Sequence, residues 1–367
     1  MKIGIDISQI VYKGTGSARY NAGMLDSILK YDTENSWTFF FSALRRNLDT
    51  NLHKQLSKRH YQLKKYPLSP KMLDLLWNKL HLININSLIG DQDWVITSDW
   101  TQPPANSCLA TLVHDLAYKR FPEVVPEQIR KVQEQRLNWA KKESSLFLAL
   151  SKATKQDLME LMNIPPEKIK VLYPGIEIPT VEQKDSNETL KRLQLSKPFI
   201  LSVGKIEPRK NIGRLIQAFS QLHLDTVKLV IVGPEGWDTI DQKAHPNIKF
   251  TGYLSDTELF ALYRACLFFV MPSVWEGFGY PVIEAMMSGA AVATSNTSSL
   301  KEISEGAAIL FNPLEIDDIS ATLKKLLENE KLRADLSAKG LKHSAQFSPE
   351  NYYNNLITIL QDTPKKT

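Results

Sequence analysis

The stretch PFILSVGKIEPRKNIGRLIQAFSQL, residues 198–222, decides the architecture. PFILSVG is a short, unbroken apolar run ending in glycine, which is how a strand covered on both faces of a sheet reads. From Asn211 onward the period changes, and Ile212, Leu215, Ile216, Phe219 and Leu222 fall on one helical face. A buried strand leading directly into an amphipathic helix is half of a βαβ crossover, and such units build parallel sheets. Between the two lie Lys205, Arg209 and Lys210, a cationic lip where strand gives way to helix.

The same alternation continues in both directions. Downstream come KLVIVG, IKFTGYL, the helix DTELFALYRA, CLFFVMPS, the helix PVIEAMMSG, AAVATSN and AAILFNP, and from Glu315 almost everything reads as helix. Upstream, residues 176–197 turn polar with no strand period and read as a linker. Before them, KIGIDIS is a strand and SARYNAGMLDSILKY a helix. SWTFFFS, WVITS, LATLVHD and SSLFLALS follow as strands, then the helix KATKQDLMELM and KIKVLYPG. The expected fold is α/β: two Rossmann-like domains with parallel sheets facing across a cleft, 1–178 and 198–345, with 179–197 between them and a C-terminal helix in 346–367. Ligands of such sheets bind outside the carboxyl ends of the strands, so the chemistry belongs in the loops that follow them.

Length and composition agree. The 367 residues suit two domains of about 150–180 residues each. A hydrophobic content of 43% with 23% charged residues is that of a globular chain with a core in each half. Cys108 and Cys266 sit in apolar stretches and read as small buried hydrophobes in a reducing compartment. The N-terminus carries Asp6 inside its apolar run and reads as a first strand, not a secretory leader. No apolar run reaches the roughly 18–20 residues that span a bilayer. The expected location is therefore cytoplasmic, or attached to the inner membrane face only at the surface.

The net charge of +5 is unevenly spread: residues 45–71 hold eight Lys or Arg against one Asp. That is either a solvated helical face and loop or a contact for anionic head groups and phosphate-bearing acceptors. No zinc-finger, helix-turn-helix or aromatic RNA-binding pattern accompanies it, so nucleic acid is not an expected partner.

Three further segments are candidates for chemistry, and a fourth only resembles one. In VWEGFGYPVIEAMMSG, residues 274–289, Pro281 suits a first helical turn, and Gly277 and Gly279 bare backbone N–H groups at a helix start that favours an anion. Glu276 lies before that helix and Glu284 inside it, about 10 Å apart. That spacing fits a ligand with hydroxyls at both ends and phosphates between, and is too long for an acid/base pair on one bond. His114 ends the apolar strand of LATLVHD; no second His stands at metal-ligand spacing, which argues against zinc. GTGSARYN, residues 14–21, follows the first strand and approaches a dinucleotide fingerprint, but Arg19 replaces its third Gly. Asp91-Gln92-Asp93 has the Asp-x-Asp form of metal-dependent sugar transferases. It precedes a strand, though, and belongs at the opposite end of the sheet, so no metal site is expected.

Taken together, these segments resemble the family-four retaining glycosyltransferases of the GT-B fold, nearest the bacterial mannosyltransferase-like branch that builds O-antigen and exopolysaccharide chains. The likeness runs over nearly the whole chain. It includes GTGSARY, VHDLAY with FPE after it, KVLYPGI, SVGKIEPRKN, IVGPEGW, EGFGYPVIEAMMSG and SNTSSLKEI before AAILFNP. The resemblance implies a hexose moved from a nucleotide-sugar, with GDP-mannose the first candidate, to a glycan or lipid-linked acceptor, with no cofactor or metal. It implies that Glu276 meets the hexose, Glu284 the ribose, and Arg209 and Lys210 the diphosphate, while His114 lies near the anomeric centre. Gly277, Phe278, Gly279 and Lys205 would complete the donor side and Gly16 would line the floor of the cleft. Arg19 and Asp115 are weaker candidates on the acceptor side. Lys205 stands where many relatives carry Arg, and GTGSARY is one residue more open than the expected turn. The last helix, NYYNNLITIL, would brace the N-terminal domain. An epimerase or phosphorylase on the same fold, or a non-catalytic sugar-nucleotide-binding subunit, are the alternative readings. A nicotinamide oxidoreductase lacks both the third Gly and the ribose-binding acid.

Overall fold

The computed structural model describes residues 1–367 apart from 13, 57–60, 196–197, 239, 241–245 and 365–367. The chain divides into two units, Met1–Gly175 with Pro349–Thr367 and Ile176–Ser348.

The first unit is built on seven parallel strands: β1 (Lys2–Asp6), β2 (Ser36–Ser42), β3 (Tyr61–Tyr66), β4 (Trp94–Thr97), β5 (Cys108–Val113), β6 (Leu146–Ala149) and β7 (Ile169–Val171). Their order is β3-β2-β1-β4-β5-β6-β7. WVIT, CLATLV and LFLA are buried at every position, which is why they read as continuous apolar runs. The second unit repeats the plan with β8 (Phe199–Val203), β9 (Lys228–Val232), β10 (Ile248–Gly252), β11 (Phe268–Met271), β12 (Val292–Ser295) and β13 (Ile309–Phe311). Their order is β10-β9-β8-β11-β12-β13, all parallel. The helix Ile212–Ser220 buries Ile212, Leu215, Ile216 and Phe219 in the core of this unit, as its period requires. In each sheet the chain starts centrally, winds outward, then returns to the other side of its first strand. The reversals fall between β1 and β4 and between β8 and β11.

Two stretches differ from the reading of the sequence. The basic segment 45–71 holds a helix, Thr50–Leu56, and then the edge strand β3, in register with β2 from Trp37↔Tyr61 to Ser42↔Tyr66. An edge strand tolerates lysines because one of its sides is solvated, and those lysines masked the strand pattern of YQLKKY. The polar stretch 179–197 belongs to the second unit; residues 196–197 lie outside the described residues. Within it Gln183–Arg192 is a helix with a Glu182–Asp185 capping box. It is tied to the helix Asp256–Ala265 by the Arg192–Glu258 ion pair, and Arg264 Nη1 donates to Val181 O at 2.6 Å. Its buried residues are Ser186 and Thr189, too polar to show an apolar period.

The C-terminal helix, Pro349–Asp362, sorts with the first unit and buries Tyr352, Leu356 and Leu360. It packs along the helix Gly16–Tyr31, where the Tyr20 and Tyr352 hydroxyls meet at 2.8 Å. Gly23 is required at this junction: a Cβ there would stand 2.6 Å from the Gly175 carbonyl. Cys108 and Cys266 are both free thiols. Among the described residues no helix is long and apolar enough to cross a membrane.

Candidate active site

At the reversal between β8 and β11, two loops converge. The loop after β8 tightens into one helical turn at Pro208–Lys210, and Asn211 takes a left-handed φ of 59° before the next helix begins. The Asn211 amide donates to Pro272 O at 2.9 Å and Pro313 O at 2.7 Å, stitching this loop to those after β11 and β13. Val274 N donates to Arg209 O at 2.9 Å. The backbone thus carries Arg209 and Lys210 to Glu276, which lies 66–67 residues further along.

Arg209 Nη1 donates to Glu276 Oε2 at 2.8 Å and to Trp275 O at 2.7 Å, while Nη2 donates to Glu207 Oε1 at 2.8 Å. Lys210 Nζ donates to Glu276 Oε1 at 2.6 Å. Two cations and two carboxylates therefore form one compact, mostly buried cluster. Burial pushes the Glu276 carboxyl up, but the charges of Arg209 and Lys210 and the hydrogen bond from Lys210 outweigh it and hold the group down at about 2. Glu276 is an anion at every physiological pH. Lys205 stands apart: it is exposed, with its ammonium 4.6 Å from the Trp237 ring centroid.

Behind Glu276 runs the glycine segment. Ser298 Oγ accepts from Glu276 N at 3.0 Å, and Ser299 Oγ donates to the carbonyls of Glu276 at 2.8 Å and Phe278 at 2.7 Å. Gly279 caps the helix Tyr280–Met287 with a φ of 108°, where a Cβ would lie 2.6 Å from Leu300. Phe278 is buried against Tyr280 and Phe347, so it supports the segment from within. Glu284, only 1% exposed, accepts from the Tyr263 hydroxyl at 3.1 Å.

In the first unit, charges gather at the matching reversal, at the carboxyl ends of β1, β4 and β5. His114 Nδ1 lies 3.2 Å from Asp99 Oδ2, and the Ser17 hydroxyl donates to the same oxygen. A neutral His114 so held carries its proton on Nδ1 and turns the Nε2 lone pair outward from the carboxylate. The ring sits 5.0 Å from that of Tyr20. Arg136, 1% exposed, donates to Ser98 O at 3.1 Å and Leu112 O at 3.0 Å, fixing the ends of β4 and β5 around Asp99. Burial pulls its guanidinium down to about 10, so it stays charged at neutral pH. Asp6, buried at the end of β1, accepts from Ser8 N at 2.9 Å, and burial pushes its carboxyl up. Gly16 opens its helix at an exposed position with no atom within 4 Å of where a Cβ would stand. No packing reason demands glycine there. Arg19 is half-buried one turn along that helix. Asp115 accepts from Ala117 N at 3.0 Å and caps a short helical turn.

Asp93 sits at the amino ends of β1 and β4, where its Oδ2 accepts from Lys2 N at 2.7 Å. Among the described residues no group of three or more His, Cys, Asp or Glu side chains could hold a metal ion.

Comparison with known proteins follows the same division. The profile for "Glycosyl transferases group 1" matches residues 184–343, and that for "Glycosyltransferase Family 4" matches residues 41–178. "O-antigen chain mannosyltransferase B" of Escherichia coli is 32% identical over 255 residues, 66% of this chain and 67% of that one. The chain belongs to glycosyltransferase family 4. This glycosyltransferase is also 34% identical over 221 residues to the "Serotype-specific mannosyltransferase WbdA" of Escherichia coli, a match that covers 56% of its length and 27% of WbdA. Among solved structures, Anabaena HepE in complex with UDP and glucose superposes with a TM-score of 0.69 at 17% identity, over 98% of this chain and 99% of that one. WaaG, a glycosyltransferase involved in lipopolysaccharide biosynthesis, gives 0.70 at 15%, over 99% and 100%. The fold of this glycosyltransferase is thus GT-B, as its sequence implied.

The structure brings together Arg209, Lys210 and Glu276, and sets Lys205 outside their cluster. His114, Gly16, Arg19 and Asp115 belong to the first unit, the donor-side residues to the second. Sequence reading missed Glu207, Asn211 and Tyr263 in the second unit and Ser17, Asp99 and Arg136 in the first. One signal was available for Asp99: it follows the buried strand WVIT directly, as His114 follows β5.

Proposed function

We propose that this glycosyltransferase retains anomeric configuration and moves a hexose from a nucleotide-sugar to a hydroxyl of a glycan or lipid-linked saccharide, in the assembly of cell-surface polysaccharide at the cytoplasmic face of the membrane. Mannose from GDP-mannose is the first donor to test, because relatives carry the names of O-antigen and serotype-specific mannosyltransferases. The observation that carries the reading is the Arg209–Glu276–Lys210 cluster at the carboxyl edge of β8. Two cations held in a largely dry pocket are what a departing diphosphate requires.

In this mechanism Glu276 holds both cations in place until the donor arrives. The diphosphate then takes Arg209 by its fork and Lys210 as a point charge, and the Glu276 carboxylate accepts from the hexose hydroxyls instead. Glu284, held by Tyr263, accepts from the ribose. The bond from the anomeric carbon to the diphosphate oxygen breaks as the acceptor oxygen bonds to the same face. The proton of the acceptor hydroxyl goes to the departing phosphate. His114, oriented by Asp99, lines the sugar near the anomeric carbon. Arg209 and Lys210 supply the charge that a divalent cation supplies elsewhere, so no metal takes part.

A thermal-shift screen of GDP-, UDP-, ADP- and dTDP-sugars tests this. At 100 times its dissociation constant the true donor adds about 2.7 kcal/mol to stability. The shift should vanish in Arg209→Ala, and EDTA should leave the transfer rate unchanged. An equal shift in Arg209→Ala, or a rate that depends on Mn²⁺, overturns the assignment.

A further inference from the structure

Among the described residues twelve large hydrophobic side chains are exposed, and six of them, Leu44, Met72, Leu75, Leu80, Leu82 and Ile83, fall within residues 44–83. They form one neighbourhood. Leu44 follows β2, and with Arg45 and Arg46 it lines a shallow pocket closed by Ser69 and Pro70. Pro70 starts the helical segment Pro70–Leu73, which continues as a wider turn over Asp74–Lys79. That segment buries Leu73 and Trp77 in the core beneath, yet the opposite face presents Met72 and Leu75, where an ordinary surface helix would be polar. Leu80 N donates to Leu75 O at 2.9 Å and Leu82 N to Leu76 O at 2.8 Å, so the loop 80–83 folds back beside the same segment.

That loop is held in a costly conformation. His81 and Ile83 take left-handed φ values of 52° and 62°, and for a β-branched residue this is a rare state. Several contacts enforce it. The His81 ring lies flat on Trp139 at 3.7 Å between centroids and 4° between planes, and its Nε2 meets Glu143 at 2.9 Å. Trp77 Nε1 donates to Ile83 O at 3.0 Å. The result is that Leu82 and Ile83 point into solvent, 54% and 47% exposed. Isolated exposed apolar residues need no account, but a rigidly displayed group of six does.

Charge identifies what covers it. Exposed Arg45, Lys71 and Lys142 lie on or beside the same segments, and Lys142 lies 4.6 Å from the ring of the same Trp139 that anchors His81. The neighbouring acids are already engaged: Asp74 accepts from Asn78 at 2.8 Å and pairs with Lys79 at 3.5 Å, and Glu143 is held by His81, so the three other cations face no free acid among these. We propose that the apolar crest Leu44–Met72–Leu75–Leu80–Leu82–Ile83, flanked by Arg45, Lys71 and Lys142, docks on an anionic lipid surface, with Leu82 and Ile83 inserted at the head-group boundary. Apolar insertion and cationic attraction each contribute, as for other interfacial anchors. Cations alone would make residues 45–71 an electrostatic contact; the crest adds an anchor that salt does not screen.

The test is flotation of the full chain with vesicles of phosphatidylcholine alone and with added phosphatidylglycerol, at low and at physiological salt. Wild type should float with the anionic vesicles under both conditions and weakly with the neutral ones. Leu82→Glu combined with Ile83→Glu should lower partitioning about a hundredfold, and Arg45→Glu about fivefold or more. Both variants should keep the wild-type unfolding temperature, since these side chains are exposed. Flotation of the double variant as efficient as wild type overturns the proposal, and so does equal binding to neutral vesicles. Wild-type dimers by light scattering that the double variant abolishes, without lipid binding, would assign the crest to a second copy of the chain and also overturn it. None of these readouts uses a donor or acceptor, so a failure here is separate from a failure of the proposed reaction.

Discussion

Replacing Glu276 by Gln keeps the shape of the side chain and removes the charge that holds Arg209 and Lys210. The consequence can be worked from the structure. The carboxyl falls from 4.5 to about 2 on folding, and at about 1.36 kcal/mol per pH unit the ionised form contributes roughly 3 kcal/mol to the stability of the second unit. Because the folded value lies below the unfolded one, that contribution is complete above the unfolded value and is lost as pH falls toward the folded one. The gap between wild type and Glu276→Gln should therefore be about 3 kcal/mol at pH 7. It should be smaller at pH 3.5, by on the order of 1 kcal/mol. Urea unfolding of the full chain, read by pulsed hydrogen exchange in peptides covering β8 and β11, reports the second unit alone. A gap that stays constant between pH 7 and 3.5 would show that Glu276 is not gripped by the two cations, and the account of the cluster would fail. Donor should then narrow the gap at pH 7, since a diphosphate replaces the carboxylate as partner of Arg209 and Lys210.

Other variants address the first unit. Asp99→Ala removes the acceptor that fixes the Nδ1–H tautomer of His114; kcat should drop roughly tenfold to a hundredfold, and imidazole ¹⁵N spectra should show the proton shared with Nε2. An unchanged tautomer would remove Asp99 as a positioning residue. Gly23→Ala drives a methyl to within 2.6 Å of the Gly175 carbonyl and should destabilise the first unit by about 1–2 kcal/mol despite the better helix propensity of Ala. Gly16→Ala meets nothing within 4 Å. It should leave the unfolding temperature unchanged while transfer falls, and unaltered transfer would exclude Gly16 from the substrate surface.

How far the sequence could be read depended on where each signal resides. Strands such as LATLVHD and PFILSVG announce themselves because burial on both faces leaves them mostly apolar, with only small polar residues such as Thr111 and Ser202 inside. β3 did not, because Lys64 and Lys65 occupy an edge where burial is incomplete. The helix Gln183–Arg192 was hidden for the same reason, since Ser186 and Thr189 fill its inner face. At the site, Arg209, Lys210 and Glu276 were legible as unusual residues directly after buried strands, a position that local pattern and strand topology single out together. Their pairing was not legible, for Arg209 meets Glu276 across 67 residues, and the loops are joined by the Asn211 cross-links and the Val274–Arg209 backbone bond. The distance from Ser17 to Asp99 in sequence is greater still, 82 residues. Lys205 illustrates the converse: it shares a loop with the other two cations, yet one extra turn of chain sends it to Trp237.

Both sheets place largely buried charge at equivalent points of their topology, although a core does not need charge to be stable. Asp6, Asp99 and Arg136 stand at the carboxyl ends of the strands beside the β1/β4 reversal, and Glu207, Arg209, Lys210 and Glu276 beside the β8/β11 reversal. Desolvating such groups is unfavourable, as the raised Asp6 and the lowered Arg136 record, and apolar residues of similar volume often serve a core as well or better. At these reversals, however, adjacent helices start on opposite faces of the sheet and leave a crevice lined by backbone N–H groups. Charges held there by the backbone can meet a ligand by exchanging one partner, with little other reorganisation, which favours stabilising a charge that appears only in the transition state. In the second unit both signs are already present and mutually held, so the site is electrically near balance until a polyanion displaces one partner. That arrangement explains how two cations remain ordered in a mostly buried cluster, and it makes the carboxylate between them the partner that a diphosphate would displace.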